Sequence, residues 1–181
     1  MTTALLVIDV QDEYLTGGLP IAFPPPQEAL ERIGEAMDAA HAHALPIVLV
    51  RHTEPDPSGG LFVAGTPAWE ITASVVGRPH DVVVDKTLPG SFTGTPLSAW
   101  LAERDVDAVV IAGWMTHMCV DTTARQAMHL GLEVTVLEDA TGTIDVSDDL
   151  PAALVHRVEL GVLGDGFAAV TRTAAWIDQL G

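Results

Sequence analysis

Apolar and polar positions along this chain are organised on two length scales. Short apolar runs of strand length alternate with longer segments in which apolar residues recur every three or four positions, a pattern that predicts a parallel sheet covered by helices on both faces. The expected strands are Ala4–Val10, Pro46–Arg51, Asp81–Asp85, Ala108–Ala112, Glu133–Leu137 and Ala169–Thr171. Between the first two, Gln27–Ala44 places Leu30, Ile33, Met37 and Ala40 on one helical face after the stop at Pro24-Pro25-Pro26. Later helices are expected over Thr95–Arg104, Val120–Leu130, Leu150–Glu159 and Thr173–Leu180. Pro96 and Pro151 stand at first-turn positions, and Gly131 is a candidate helix cap. The fold class that follows is α/β: a three-layer, Rossmann-like α/β/α sandwich around a six-stranded, mainly parallel sheet. Residues 1–181 are expected to form one domain.

The stretch from Glu54 to Gly77 is the least regular, punctuated by Pro55, Pro57, Gly59, Gly60, Gly65 and Pro67. It reads as a loop lying over strand ends, with a short helix around Trp69. Open parallel sheets bind ligands beyond the carboxyl ends of their strands, so candidate chemistry is sought where strands stop.

Composition narrows the possibilities. A hydrophobic fraction of 48% with 18% charged residues rules out intrinsic disorder. Eight Lys plus Arg against 25 Asp plus Glu give a formal charge of −17, which disfavours nucleic acid and anionic membrane as partners. The first apolar run ends at Asp9 after five residues, too short for a signal peptide or a membrane span, and a single cysteine suits a reducing compartment, so a cytoplasmic protein is expected.

Three reactive side chains mark strand ends. Asp9 closes Leu5-Leu6-Val7-Ile8 in a buried setting, where an isolated charge is costly and needs a partner. Lys86, the chain's only lysine, ends Val82-Val83-Val84-Asp85. Unlike arginine, it can respond to its surroundings by losing its proton. Cys119 follows a strand, Gly113 and a short turn, at the start of a helix. A helix N-terminus is expected to lower a thiol pKa from about 8.5 and to leave amide groups free for an oxyanion. The plain alternatives are a structural carboxylate, a snorkelling lysine and an inert buried thiol. His117 ranks below Asp9 and Lys86 as a proton acceptor because it lies in the same turn as the cysteine. His41, His43, His80, His129 and His156 are weak candidates. His52, closing the second strand, can line a pocket, but only Glu54 and Asp56 stand near it as further metal ligands, so no metal or other cofactor is expected. Leu88–Thr95 matches neither a P-loop nor a dinucleotide fingerprint. Phe62, Trp69, Phe92 and Trp114 are candidate apolar walls of a small-molecule pocket, or plain core.

Taken in order, Ala4-Leu-Leu-Val-Ile-Asp9-Val-Gln11-Asp12, Val84-Asp-Lys86-Thr with Ser91-Phe92-x-Gly94-Thr95, Gly113-Trp-Met-Thr116-His-Met-Cys119-Val120-Asp-Thr-Thr-Ala-Arg125-Gln-Ala127, and Asp139-Ala-Thr141 resemble the isochorismatase-like cysteine hydrolase superfamily. That superfamily includes nicotinamidases, N-carbamoylsarcosine amidases and the enzyme that opens the lactam of streptothricin. The resemblance implies a triad of Asp9, Lys86 and Cys119, a thioester intermediate, an oxyanion hole from the amides of Met115 and Cys119, and a cis peptide between Trp114 and Met115. Gln11, His52, Phe62, Trp69, Phe92 and Trp114 are the candidate substrate-binding residues, and the resemblance implies a homodimer or larger homo-oligomer. Two departures bear on activity. The Asp-x-His metal motif of nicotinamidases is replaced by Arg51-His52-Thr53-Glu54, and the presence of Cys119 argues against vinyl-ether cleavage. The wording around Cys119 most resembles the streptothricin-hydrolase branch and nicotinamidase-related amidases.

Two functions therefore compete. One is a metal-independent hydrolase cleaving a C–N bond in a small amide or cyclic amide. The other is a non-catalytic ligand-binding or redox-sensing module in which oxidants modify Cys119.

Overall fold

The structure, a computed structural model, describes residues 2–181. Its six strands are β1 (Thr2–Ile8), β2 (Ile47–His52), β3 (Val82–Lys86), β4 (Val106–Trp114), β5 (Glu133–Gly142) and β6 (Ala169–Thr171). They form one sheet in the order β3-β2-β1-β4-β5-β6, and every pairing is parallel. The helices are α1 (Pro26–Ala42), α2 (Ala73–Val76), α3 (Leu97–Ala102), α4 (Asp121–His129), α5 (Ala152–Gly166) and α6 (Thr173–Asp178).

The continuous apolar run of β1 follows from burial on both faces. Leu5 and Val7 point into a cluster with Ile33, Met37 and Ala40 of α1 and Trp176 of α6. Ala4, Leu6 and Ile8 point the other way, against Leu97 and Leu101 of α3, Ala124 and Ala127 of α4 and Leu160 and Leu163 of α5. β4 repeats the alternation, with Val110 and Ala112 on the first face and Val109 and Ile111 on the second. Three layers result.

The helix punctuation behaves as its chemistry requires. Pro26 opens α1, where its missing N–H costs nothing. Pro96 and Pro151 stand one step before α3 and α5, as N-caps. Gly131 follows α4 with φ of 85°, a conformation open to glycine. α5 runs seven residues past its expected end, because Leu160 and Leu163 continue its buried stripe beyond Glu159. Around Trp69 only a 3-10 turn, Pro67–Trp69, forms, and α2 follows it in a stretch expected to be irregular.

Two features shape the sheet's carboxyl edge. β1 and β4 approach so closely at Gly113 (φ 111°) that a Cβ there would lie 2.0 Å from the carbonyl oxygen of Ile8. β5 slips in register against β4, passing from Ile111 opposite Val136 to Gly113 opposite Thr141. The residues in between, including Glu138, leave the ladder. Among the described residues no helix is long and apolar enough to cross a membrane.

Candidate active site

Asp9 is the first residue beyond β1, Lys86 the last of β3, and Cys119 sits in a five-residue π-helical turn, Thr116–Val120, between β4 and α4. All three converge at the sheet's carboxyl edge. The Nζ of Lys86 lies 2.7 Å from Oδ2 of Asp9 and 3.4 Å from Sγ of Cys119, and it donates to the carbonyl of Leu88 at 3.1 Å. Three donors meet three acceptors, which fixes the head of this 2%-exposed lysine. Asp9 holds φ at 52°, a left-handed conformation uncommon for a residue with a Cβ, while its N–H bonds the carbonyl of Val50 at 2.9 Å. That conformation lets the chain leave β1 with the carboxylate under the thiol. No backbone amide solvates it, so its partners are the Lys86 ammonium and the Cys119 thiol.

The electrostatics overturn one expectation. Burial, and then the negative charge of Asp9, push the Cys119 thiol well above the ordinary cysteine range, and Lys86 offsets this only in part. A helix start was expected to lower it. Here the thiol is 6% exposed, so desolvation and the neighbouring carboxylate outweigh the dipole. The resting cysteine is a neutral thiol beside a carboxylate able to take its proton. Burial likewise raises Asp9, against the opposing pull of Lys86.

The turn is entered through a cis peptide between Trp114 and Met115, as the resemblance implied. Met118 N–H and Val120 N–H both donate to the carbonyl of Met115 at 3.1 Å, which curls the chain so that Cys119 returns toward Asp9.

The expected pocket walls separate into groups. His52 and Phe62 pack edge to face at 5.1 Å beside the pair, and burial followed by the charge of Lys86 lowers the His52 pKa, which keeps the ring neutral. His52 Nδ1 is buried and has no partner. Gln11 is not presented to a ligand. Its amide nitrogen donates to the carbonyls of His52 and Trp69 at 3.0 and 2.7 Å, and its oxygen accepts from His52 N–H at 2.8 Å, so it clamps the end of β2 to the loop. Trp114 is a second correction. It is fully buried behind Tyr14, ring centroids 5.8 Å apart, and forms core rather than wall, because β4 continues to Trp114 and turns its indole inward. Trp69 is half-buried at the end of β2, its N–H on the Thr53 hydroxyl at 2.9 Å and the Arg51 guanidinium 3.7 Å over its ring. Phe92 packs with the α3–α4 cluster, on the opposite face from Phe62.

Two residues went unnoticed in the sequence. Tyr14 lies 5.1 Å from Phe62 between ring centroids, and burial, followed by the charge of Asp9, raises its phenol pKa. Glu13, 3% exposed, accepts from the N–H groups of Gly18 and Phe62 and so anchors the irregular segment over the site. The only hint was their position just after Asp9-Val10-Gln11-Asp12. Among the described residues no group of three or more His, Cys, Asp or Glu side chains is placed to hold a metal ion.

Comparisons with known proteins show the family to which this fold belongs. A family model described as the Isochorismatase domain matches residues 3–175. The uncharacterized isochorismatase family protein YddQ of Bacillus subtilis (strain 168) is 34% identical over 180 residues, covering 98% of this chain and 99% of that one. A streptothricin hydrolase of Streptomyces noursei is 35% identical over 179 residues, covering 95% of this chain and 63% of that longer one. A crystal structure from Burkholderia xenovorans LB400, described as a candidate isochorismatase, superposes with a TM-score of 0.93 at 43% identity, covering 98% of this chain and 86% of that one.

Proposed function

Because the chain belongs to the isochorismatase family of hydrolases, we propose that it is a cysteine hydrolase of small amides or cyclic amides, cleaving a C–N bond through a thioester on Cys119. Residues 1–181 act as one isochorismatase-like hydrolase domain in this reading. The observation that carries it is the Lys86 ammonium held between the Asp9 carboxylate and the Cys119 sulfur.

Asp9 accepts the thiol proton as the sulfur attacks the carbonyl carbon, and Lys86 stabilises the sulfur as it becomes negative. The tetrahedral oxyanion is held by the amides of Met115 and Cys119. Its collapse breaks the C–N bond, and the proton on Asp9 passes to the departing amine. Asp9 then deprotonates a water molecule that attacks the thioester, which releases the acid and returns the proton to sulfur. His52, Phe62 and Tyr14 form the apolar, neutral wall against which a compact substrate lies. The homology to a streptothricin hydrolase supports including cyclic amides in that class. A redox-sensing role finds less support, since sensors use exposed thiols of low pKa and Cys119 is neither.

The test is turnover of a panel of linear amides, lactams and nicotinamide, with mass spectrometry for an acyl adduct on Cys119. Cys119→Ala is expected to abolish both release of amine and the adduct while keeping the circular dichroism spectrum. Full activity in that variant would falsify the reading.

A further inference from the structure

Behind the turn that carries Cys119 lies an imidazole that looks in the sequence like an ordinary helix residue. His156 of α5 is 6% exposed. Its Nδ1 is 2.8 Å from the hydroxyl of Thr116, the first residue of the turn, and its Nε2 is 3.1 Å from the carbonyl oxygen of Glu138 in β5. A carbonyl can only accept, so Nε2 carries the proton and Nδ1 the lone pair, and the Thr116 hydroxyl donates to Nδ1. The Glu138 carbonyl is available because the register slip takes it out of the ladder to β4, and the Thr141 hydroxyl donates to it as well at 3.3 Å. On its far side the ring borders a cavity of about 670 Å³, where its neighbour is Phe23 at 5.5 Å between centroids. Two hydrogen bonds, rather than tight packing all round, set its position.

We propose that His156 is a positioning residue for hydrolysis: a buried strut between β5 and Thr116 that holds the peptide groups from Met115 to Cys119 where acyl transfer needs them. This rests on the reading of those amides as the oxyanion site. The neutral state the strut requires agrees with its burial, which lowers the imidazole pKa. Asparagine and glutamine separate the two bonds. The amide of Asn reaches the place of Nδ1 and can accept from Thr116, whereas that of Gln reaches the place of Nε2 and can only donate to Glu138.

The full chain and its H156N, H156Q, H156F, T116V and T116V/H156F variants are acylated with p-nitrophenyl acetate, with release of p-nitrophenolate reporting the acylation rate, and, separately, alkylated with iodoacetamide, with mass spectrometry reporting modification of Cys119. H156F and T116V are expected to slow acylation roughly ten- to a hundredfold, less than the about 10²–10³ that outright removal of an oxyanion donor costs because the amides are displaced rather than lost, while alkylation, which forms no oxyanion, stays within about twofold. H156N recovers most of the acylation rate, H156Q does not, and the double variant is no slower than either single one. Wild-type acylation in H156F, equal rates in H156N and H156Q, or additive losses in the double variant overturn the proposal. If H156F does not fold, the ranking of H156N over H156Q still decides. If the wild-type protein neither releases p-nitrophenolate from the ester in a Cys119-dependent way nor carries an acyl group on Cys119, the thioester reading fails instead. Amide hydrogen exchange across residues 114–120 then judges the strut alone: faster in H156Q than in H156N supports it, and equal exchange refutes it.

Discussion

The ammonium of Lys86 and the carboxylate of Asp9 meet at 2.7 Å, both side chains fully buried, although they leave strands that are not neighbours, since β2 runs between β1 and β3. Each group needs the other, because removing one partner strands an uncompensated charge in the interior. Lys86→Met is therefore expected to lower unfolding stability by about 3–5 kcal/mol in urea titrations, and the double change Asp9→Asn/Lys86→Met by clearly less than the sum of the singles. A loss below about 1 kcal/mol in the single variant would mean that water reaches the pair.

The same geometry separates thiol reactivity from catalysis. The Asp9 charge raises the Cys119 pKa and Lys86 lowers it. Asp9→Asn removes the first influence and leaves the second, so more of the sulfur ionises at neutral pH. Alkylation of Cys119 by iodoacetamide near pH 7.5 is expected to speed up in Asp9→Asn even as amide hydrolysis is lost for want of a base. Lys86→Met should slow alkylation below the wild-type rate. Slower alkylation in Asp9→Asn would show that the carboxylate activates the resting thiol rather than suppressing its ionisation.

The sheet was readable from the chain because burial on both faces makes β1, β2 and β4 near-continuous apolar runs, which leave little ambiguity. Asp9, Lys86 and Cys119 stood out for a related reason: each is a polar or reactive residue ending or following such a run. The rest depended on contacts between segments far apart in sequence. Gln11 meets His52 and Trp69 across 41 and 58 positions, and nothing local tells that its amide is fully engaged there. Trp114 could be core or wall until the end of β4 was located. The direction of the thiol shift is not legible locally: a helix start is visible in sequence, whereas desolvation and the proximity of Asp9 are not. His156 looked unremarkable because its partners, Thr116 and the Glu138 carbonyl, are 40 and 18 positions away.

Stability should carry a pH signature of the site. The folded-state pKa of Cys119 is raised, so its contribution is complete below the ordinary thiol value near 9.0 and is lost as pH rises above it, where the unfolded chain ionises and the folded one resists. Urea titrations from about pH 8 to 10 should show wild type losing more stability than Cys119→Ala, and parallel profiles would refute the assignment. On the acid side, burial lowers His52, His117 and His156. Their contribution is present above the ordinary imidazole pKa of about 6.5 and is lost as pH falls below it. Asp9, raised by burial, acts in the opposite sense by favouring the folded state as it gains a proton. The net slope between about pH 7 and 5 should therefore become less steep in His156→Asn than in wild type.

Gly113 links the fold to the site most directly. It adopts φ of 111°, where side chains are rarely tolerated, and a Cβ there would meet three backbone atoms of Ile8 within 2.8 Å. Ile8 precedes Asp9, and Gly113 precedes the cis peptide into the nucleophile turn, so one close approach sets the separation of the two chain ends that bear base and thiol. Gly113→Ala has no flexible neighbour to push aside; it must part β1 from β4 at the centre of the sheet. The expected loss exceeds about 4 kcal/mol, a large share of the total stability of a domain of this size. Gly131→Ala serves as the control. Gly131 also has positive φ, 85°, but no atom lies within 4 Å of its Cβ position, so only the backbone conformation resists, at a cost of about 1–2 kcal/mol. Comparable melting temperatures for the two variants would mean that β1 and β4 can separate without loss, and the spacing of Asp9 and Cys119 would then have to be set elsewhere.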